Sequence, residues 1–243
     1  MAASLVQSLQ LAQPPVAVCL TDSLPAGVKP YAGAVPAGCH FWQQAAGGPF
    51  GTAPRDHDLC AIGVYTHNLE SSAAGDTDLR DALEVFADLG YLREQDLPLI
   101  PVLQSRSKHV VYAPLAESPL PPDVVLLFVK ADQILILTEA SQQVEGGLPP
   151  AMGRPACAVI PQTKNTGRAA LSLGCCGARA YLDLLAGDMA IYAIPGDKLA
   201  DYAQRIEALA RANAVLSRFH RIRRQEVESG KHPSVKESLA ALQ

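Results

Sequence analysis

The pattern of apolar and polar positions predicts short strands that alternate with helices. Apolar runs rich in β-branched residues predict strands at residues 16–20, 109–113, 124–129, 157–160 and 189–194. Apolar residues at helical spacing predict helices at residues 1–12, 39–46, 78–89, 95–104, 131–144, 178–185 and 198–212. The alternation is typical of a mixed α/β fold.

Glycine and proline mark the boundaries between these elements. The stretch 22–38 carries three prolines and three glycines, which predicts mostly turns. Asp78 is a candidate N-cap for one helix, and Gly90 is placed to end it. We expect a single compact α/β domain over residues 1–212 and a helical extension over residues 213–243. The extension is interpreted either as a dimerisation arm, which would make a homodimer, or as an ordinary docked helix.

The composition excludes several classes of partner. The chain has 243 residues, 49% of them hydrophobic, and a net charge of −4, which does not favour non-specific binding to nucleic acid. One basic cluster, at residues 218–224, is balanced by Glu226 and Glu228 and predicts a solvated helix face. The most apolar run, at residues 124–137, is interrupted by Lys130 and Asp132 and is too short to cross a membrane.

No signal peptide is recognisable, because no Lys or Arg precedes the first apolar stretch. We therefore expect a cytoplasmic protein, in which thiols stay reduced and bind metals, catalyse reactions or lie buried. The sequence contains no phosphate-binding loop, GxGxxG, GxSxG, HExxH or CxxC motif. Their absence removes the commoner nucleotide-binding, hydrolase and zinc-protease interpretations.

The six cysteines are the remaining candidates for chemistry. Cys19 lies within a predicted strand, where a small buried apolar residue is expected. The others lie beside residues that shape turns or close approaches: Cys39 follows Gly38, Cys60 lies three residues after His57, Cys157 follows Pro155, and Cys175 and Cys176 share a glycine-flanked turn. Thiolates select zinc, copper(I) and iron–sulfur clusters. From spacing alone, a set of buried, inert thiols stays an open alternative.

Several segments together resemble a known family. They are Pro-Pro-Val-Ala-Val at 14–18, Gly-Cys-His-Phe-Trp at 38–42, Asp-His-x-x-Cys at 56–60, Ser-Leu-Gly-Cys at 172–175 and Asp-Met-Ala-Ile-Tyr-Ala-Ile-Pro at 188–195. Over about residues 10–212 the chain is similar to the uncharacterised prokaryotic family called domain of unknown function 169. The resemblance implies cysteines at the positions of Cys39, Cys60, Cys157 and Cys175. Many relatives carry a further cysteine where this chain has Ala178, and Cys176 is a candidate local substitute.

The first functional hypothesis is a 4Fe–4S cluster bound by Cys39, Cys60, Cys157 and Cys175. Four thiolates would serve electron transfer with a redox partner. Three thiolates would leave an iron open to a small-molecule substrate, as in an oxidoreductase or lyase. The resemblance itself supplies no reaction.

Three further residues are candidate catalytic groups beside the cysteines. His57 and His67 are candidates for acid–base roles, and Arg179 for pairing with an anionic substrate or with the cluster. Structural roles are the alternatives: hydrogen-bonding loop residues for the two histidines, and a surface salt bridge for Arg179. Phe41 and Trp42 would either shield a cluster or belong to the core.

Two other hypotheses use the same thiols. One is a zinc-stabilised binding protein with no redox chemistry. The other is a thiol-based enzyme or sensor that uses Cys175 and Cys176, since the N-terminus of a helix lowers the pKa of a thiol.

Overall fold

An eight-stranded, mostly antiparallel sheet forms the centre of the protein. The structure is a computed structural model and describes residues 1–33 and 38–240. The strands are β1 (Val16–Thr21), β2 (Lys29–Pro30), β3 (Phe50–Thr52), β4 (His109–Pro114), β5 (Val124–Lys130), β6 (Ala151–Met152), β7 (Ala170–Ser172) and β8 (Met189–Pro195). Their order across the sheet is β2-β3-β4-β1-β5-β8-β7-β6, with parallel pairing confined to the two edge pairs.

Long and short helices surround the sheet. They are α1 (Ala2–Leu9), α2 (His40–Gln44), α3 (Ala61–Thr66), α4 (Ala73–Asp88), α5 (Ala131–Glu145), α6 (Val159–Thr166), α7 (Leu199–Glu228) and α8 (Val235–Ala240). Short 3-10 helices include Pro54–His57, Glu94–Leu99 and Ala156–Ala158, and Gly177–Tyr181 forms a π-helical turn.

Strand β5 is buried on both faces because each face of the sheet carries its own core. Successive side chains of a strand point to opposite faces. Val125, Leu127 and Val129 join the core formed with α1, α5 and α7. Val124, Leu126 and Phe128 join a second core, which contains Phe41, Trp42, Ile160, Cys39 and Cys157. The candidate chemistry therefore lies on the face that is covered by the short helices.

The mixed α/β class predicted from the sequence is confirmed. Four of the predicted strands, at 16–20, 109–113, 124–129 and 189–194, correspond to β1, β4, β5 and β8. The predicted helices at 1–12, 39–46 and 131–144 correspond to α1, to α2 with its following 3-10 turn, and to α5. The turn-rich stretch 22–38 contains the two-residue β2, and its residues 34–37 lie outside the described residues.

The predicted strand at 157–160 is wrong. This segment is a 3-10 turn that continues into α6, and every residue from Ala156 to Ile160 is buried. A short apolar run that is buried all round has no polar face, so its period cannot distinguish a strand from a helix.

Three predicted helices have different bounds in the structure. Helix α4 begins at Ala73 rather than after Asp78, because Ser72 Oγ accepts a hydrogen bond from the Gly75 amide at 3.0 Å. The segment predicted as a helix at 95–104 is the 3-10 helix Glu94–Leu99, which contains Pro98. The segment at 178–185 forms only the π-helical turn.

The C-terminal helix is longer than predicted. Helix α7 runs from Leu199 to Glu228, so the expected boundary at residue 212 falls inside it. Helix α8 folds back onto α7, where Ser238 Oγ donates to Glu226 Oε2 at 2.9 Å. The last three residues of the predicted extension lie outside the described residues, and dimerisation through it stays a prediction. No described helix is both long and apolar enough to span a membrane.

Replacing Gly196 by Ala tests the contact between β8 and the start of β5. The Gly196 amide donates to Asp123 O at 3.0 Å, and a methyl group there would overlap the backbone carbonyl of Pro122. We expect Gly196→Ala to lower the free energy of unfolding by about 2–3 kcal/mol, measured by urea denaturation. Gly187→Ala is the matched control, because a methyl group at Gly187 meets open space. Equal stability of the two variants would contradict the prediction.

Candidate functional site

Four cysteines from separate segments of the chain line one cavity of about 640 Å³. They are Cys39, Cys60, Cys157 and Cys175, and Cys176, next to Cys175, is a fifth cysteine in the lining. Cys39 and Cys157 are buried, whereas Cys60 and Cys175 are half-buried. Each lies where a short helical segment begins: before α2, before α3, in the 3-10 turn that leads into α6, and before the π-helical turn. The fold thus brings together the four cysteines that the sequence singled out.

The four thiols lie close enough to affect one another. The pKa of Cys39 is raised well above its usual value by its hydrogen bond to Cys157, by burial, and by Cys157, Cys60 and Cys175 as neighbours. The pKa of Cys157 is lowered, because its sulfur accepts hydrogen bonds from Cys39 and from Thr66 Oγ1, the latter at 3.2 Å. Cys157 thus differs from Cys39 and Cys60, whose pKa values are raised.

Backbone amides also point at the sulfurs. The pKa of Cys60 is raised to about 11, mainly by burial, while hydrogen bonds from the backbone at Gly38 and Gly63 oppose the rise. Gly63 packs directly against this thiol, because a Cβ atom there would lie 2.9 Å from Cys60 Sγ and would displace it. The Ala178 amide donates to Cys175 Sγ at 3.5 Å. Amide donors of this kind favour a thiolate over a thiol.

Within the described residues, no three or more His, Cys, Asp or Glu side chains are grouped as one metal ion would require. The cysteines nevertheless form a set of soft donors around one cavity.

The other two cysteines differ in their place: Cys19 lies outside the cavity, whereas Cys176 is part of its lining. Cys19 is buried in β1, where its sulfur contacts Ser118 Oγ at 3.6 Å, and its predicted place in the core is confirmed. Cys176 is exposed and accepts a hydrogen bond from the Tyr91 hydroxyl at 3.4 Å. Ala178, where the resemblance places a further cysteine in relatives, is buried and contributes to the cavity wall.

His57 and His67 are fully buried, and neither lines the cavity. Thr52 Oγ1 donates to the carbonyl of Val110, so it accepts from His57 Nε2 at 2.9 Å. His67 Nδ1 donates to the carbonyl of Gly63 at 3.0 Å. The two rings lie 6.0 Å apart between centroids.

Each imidazole keeps one nitrogen without a hydrogen-bond partner among the described residues: Nδ1 of His57 and Nε2 of His67. Burial lowers the pKa of His57 to about 3, helped by His67, and lowers the pKa of His67 to about 4. Both rings are therefore neutral at pH 7. Their visible role is structural: His67 holds Gly63, which lies against Cys60, and His57 holds Thr52 of β3.

Arg179 holds the turn that carries Cys175. Its guanidinium donates hydrogen bonds to four backbone carbonyls, those of Leu173, Leu185, Ala186 and Met189. It does not line the cavity, and it makes no salt bridge with any described residue. The arginine thus acts on the site through the backbone.

The outer wall of the cavity is a feature that sequence reasoning missed. Leu83 and Phe86 of α4 line it, together with Tyr91 and Leu92 from the following loop. Gly75 is the only buried residue of α4, so this wall has almost no core of its own. The spacing of Leu79, Leu83 and Phe86 on one helix face is the sequence feature that could have indicated this apolar wall. Phe41 and Trp42 lie in the core instead, and Phe41 packs against His57.

One family model matches most of the chain. It is domain of unknown function 169, described as "Uncharacterised ArCR", and it matches residues 4–205. The chain belongs to this family. The match includes all of the cysteines that line the cavity and ends within α7. No curated protein and no solved structure matches the chain.

Because the two histidines are buried and neutral, we predict that this protein loses stability in acid. Their pKa values in the folded state lie below the unfolded value of about 6.5, so the unfolded chain binds more protons. This stability is present above about pH 6.5 and is lost as the pH falls toward 4. We expect the free energy of unfolding to fall by about 2 kcal/mol per histidine between pH 7 and pH 5.

Urea denaturation of the wild type and of His57→Gln at several pH values measures the effect. The variant should show about half of the pH-dependent loss. His232→Gln, at an exposed position, is the control and should keep the full loss. An unchanged slope in His57→Gln would contradict the assignment.

Proposed function

We propose that this protein is an iron–sulfur protein in which Cys39, Cys60, Cys157 and Cys175 bind one 4Fe–4S cluster beside a substrate cavity. The observation that carries the proposal is the convergence of four thiols, from four separate segments, on one cavity. The pKa of Cys39 responds to each of the other three, which supports a single site.

The donor set fits a cluster better than a single zinc ion. Zinc with four thiolates, at about 2.3 Å each, would bring every pair of sulfurs to about 3.8 Å. No described group meets the requirement for one ion. A 4Fe–4S cluster binds each thiolate through a different iron, so it accepts a wider spread of sulfurs.

When bound, such a cluster supplies one-electron transfer or, at an iron that lacks a thiolate, Lewis acidity. The chain's own residues supply the surroundings. Thr66 and the amides near Cys60 and Cys175 donate hydrogen bonds to sulfur, a contact that tunes cluster potentials. Apolar side chains of the α4 wall line the cavity, and Arg179 fixes the Cys175 turn. An electron-transfer partner or a small-molecule substrate, and a cytoplasmic location, belong to the same proposal.

A second candidate function is metal-free thiol chemistry. The hydrogen bond between Cys39 and Cys157, and the lowered pKa of Cys157, favour this pair over Cys175 and Cys176. Forming a disulfide between them would pass two electrons and two protons to an oxidant such as a small-molecule disulfide.

Purification without oxygen, followed by visible spectroscopy and assays of iron and sulfide, tests the proposal. We expect broad absorption near about 400 nm with iron and sulfide in equal amounts. Cys39→Ser, Cys60→Ser, Cys157→Ser and Cys175→Ser should each retain less than half of the iron, because each removes one ligand. Cys19→Ser is the matched control, since Cys19 is buried outside the cavity and should leave the iron content unchanged.

The alternative functions give different results. One zinc per chain without iron would replace the cluster by a structural zinc. No metal, together with a Cys39–Cys157 disulfide detected by mass spectrometry after mild oxidation, would favour the thiol function.

A further inference from the structure

The charged residues that line the cavity leave one cation without a carboxylate partner. Asp96 and Arg154 both line the cavity. Asp96 is neutralised by Arg93, which binds both of its carboxylate oxygens, at 2.7 and 2.8 Å. Arg154 makes no salt bridge with any residue that the structure describes. Arg154 is exposed, and it is therefore a solvent-accessible cation of the cavity with no carboxylate partner among the described residues.

The Arg154 guanidinium is held in place by Tyr91. Its Cζ lies 3.3 Å from the centroid of the Tyr91 ring, and Nη1 donates to the Tyr91 carbonyl at 2.8 Å. Guanidinium has five N–H donors in a fixed fork, and one such bond leaves most of them for a ligand. The Tyr91 hydroxyl in turn donates to Cys176 Sγ at 3.4 Å. A preorganised arginine loses little entropy when it binds an anion.

Apart from these groups and the thiols, the lining is dominated by apolar side chains. Leu83, Phe86, Leu92, Met152 and Leu182 are among them. The volume of about 640 Å³ falls within the range of cavities that hold small organic molecules. An apolar ligand body would be covered by these side chains, with its charged end on Arg154.

We infer that the cavity binds an apolar small-molecule carboxylate, with the carboxylate on Arg154 and the apolar body between the α4 wall and the cysteines. This names the substrate class of the cavity in the proposed function. Its role as a substrate rests on that function, whereas binding itself does not require the cluster.

Calorimetric titration of the full-length protein with octanoate, 1-octanol and octyltrimethylammonium tests the inference. The three probes share one chain and differ in head-group charge. We expect octanoate to bind at least tenfold more tightly than the other two, because an arginine–carboxylate pair is a strong, charge-assisted contact. Arg154→Gln should weaken octanoate binding about tenfold and leave 1-octanol unchanged. Arg106→Gln, which removes an exposed arginine outside the cavity lining, should change neither.

Equal binding of octanoate and 1-octanol, or an unchanged octanoate affinity in Arg154→Gln, would overturn the inference. Loss of iron from Arg154→Gln with octanoate binding intact would also overturn it, because the arginine would then serve the cluster. Iron measured on the same samples separates the two proposals. If iron-free protein binds octanoate through Arg154, the ligand class is supported and the cluster proposal fails. If iron-loaded protein does not bind octanoate, the cluster proposal is supported and the ligand class fails.

Discussion

The burial of β5 on both faces is the constraint on which the rest of the structure depends. A strand in this position needs a core on each side, because its side chains alternate between the two faces. The long helices α5 and α7 meet this need on one face with regular packing. The other face is covered by short helices and turns, and it is this irregular cover that carries the cysteines.

A sheet face covered by many short helices suits a site that needs backbone N–H donors. The first N–H groups of any helix lack intrahelical partners, so a face built from many short helices presents many such groups. Cys39, Cys60 and Cys175 each lie directly before or next to one of these starts. Burial raises the pKa of Cys60 and is opposed there by hydrogen bonds from the backbone at Gly38 and Gly63, and at Cys157 the hydrogen bond from Thr66 opposes it. The same face carries two buried histidines that are neutral. Burying these polar rings costs free energy, which offsets part of the stability that the core provides.

The elements that could be predicted from the sequence have a polar and an apolar face, or have turn residues at their ends. Strand β8 and helix α5 could be bounded because turn residues flank them, such as Gly146 after α5 and Pro195 at the end of β8. The segment at 157–160 could not, since burial on all sides removes the polar positions that reveal a period. The four cysteines were found through their glycine and proline neighbours and through the family resemblance. The contact between Arg154 and Tyr91 could not be predicted from the sequence, because the two residues lie 63 positions apart and meet only in the folded chain.

The cavity joins two regions that differ in how firmly they are held. The cysteine side is bonded to the sheet core: Thr66 contacts Cys157, and Arg179 binds four carbonyls around the Cys175 turn. The α4 side buries almost nothing apart from Gly75, and the fold places it against the cavity. Local stability follows the number of buried contacts. The α4 side is therefore expected to be locally less stable than the cysteine side.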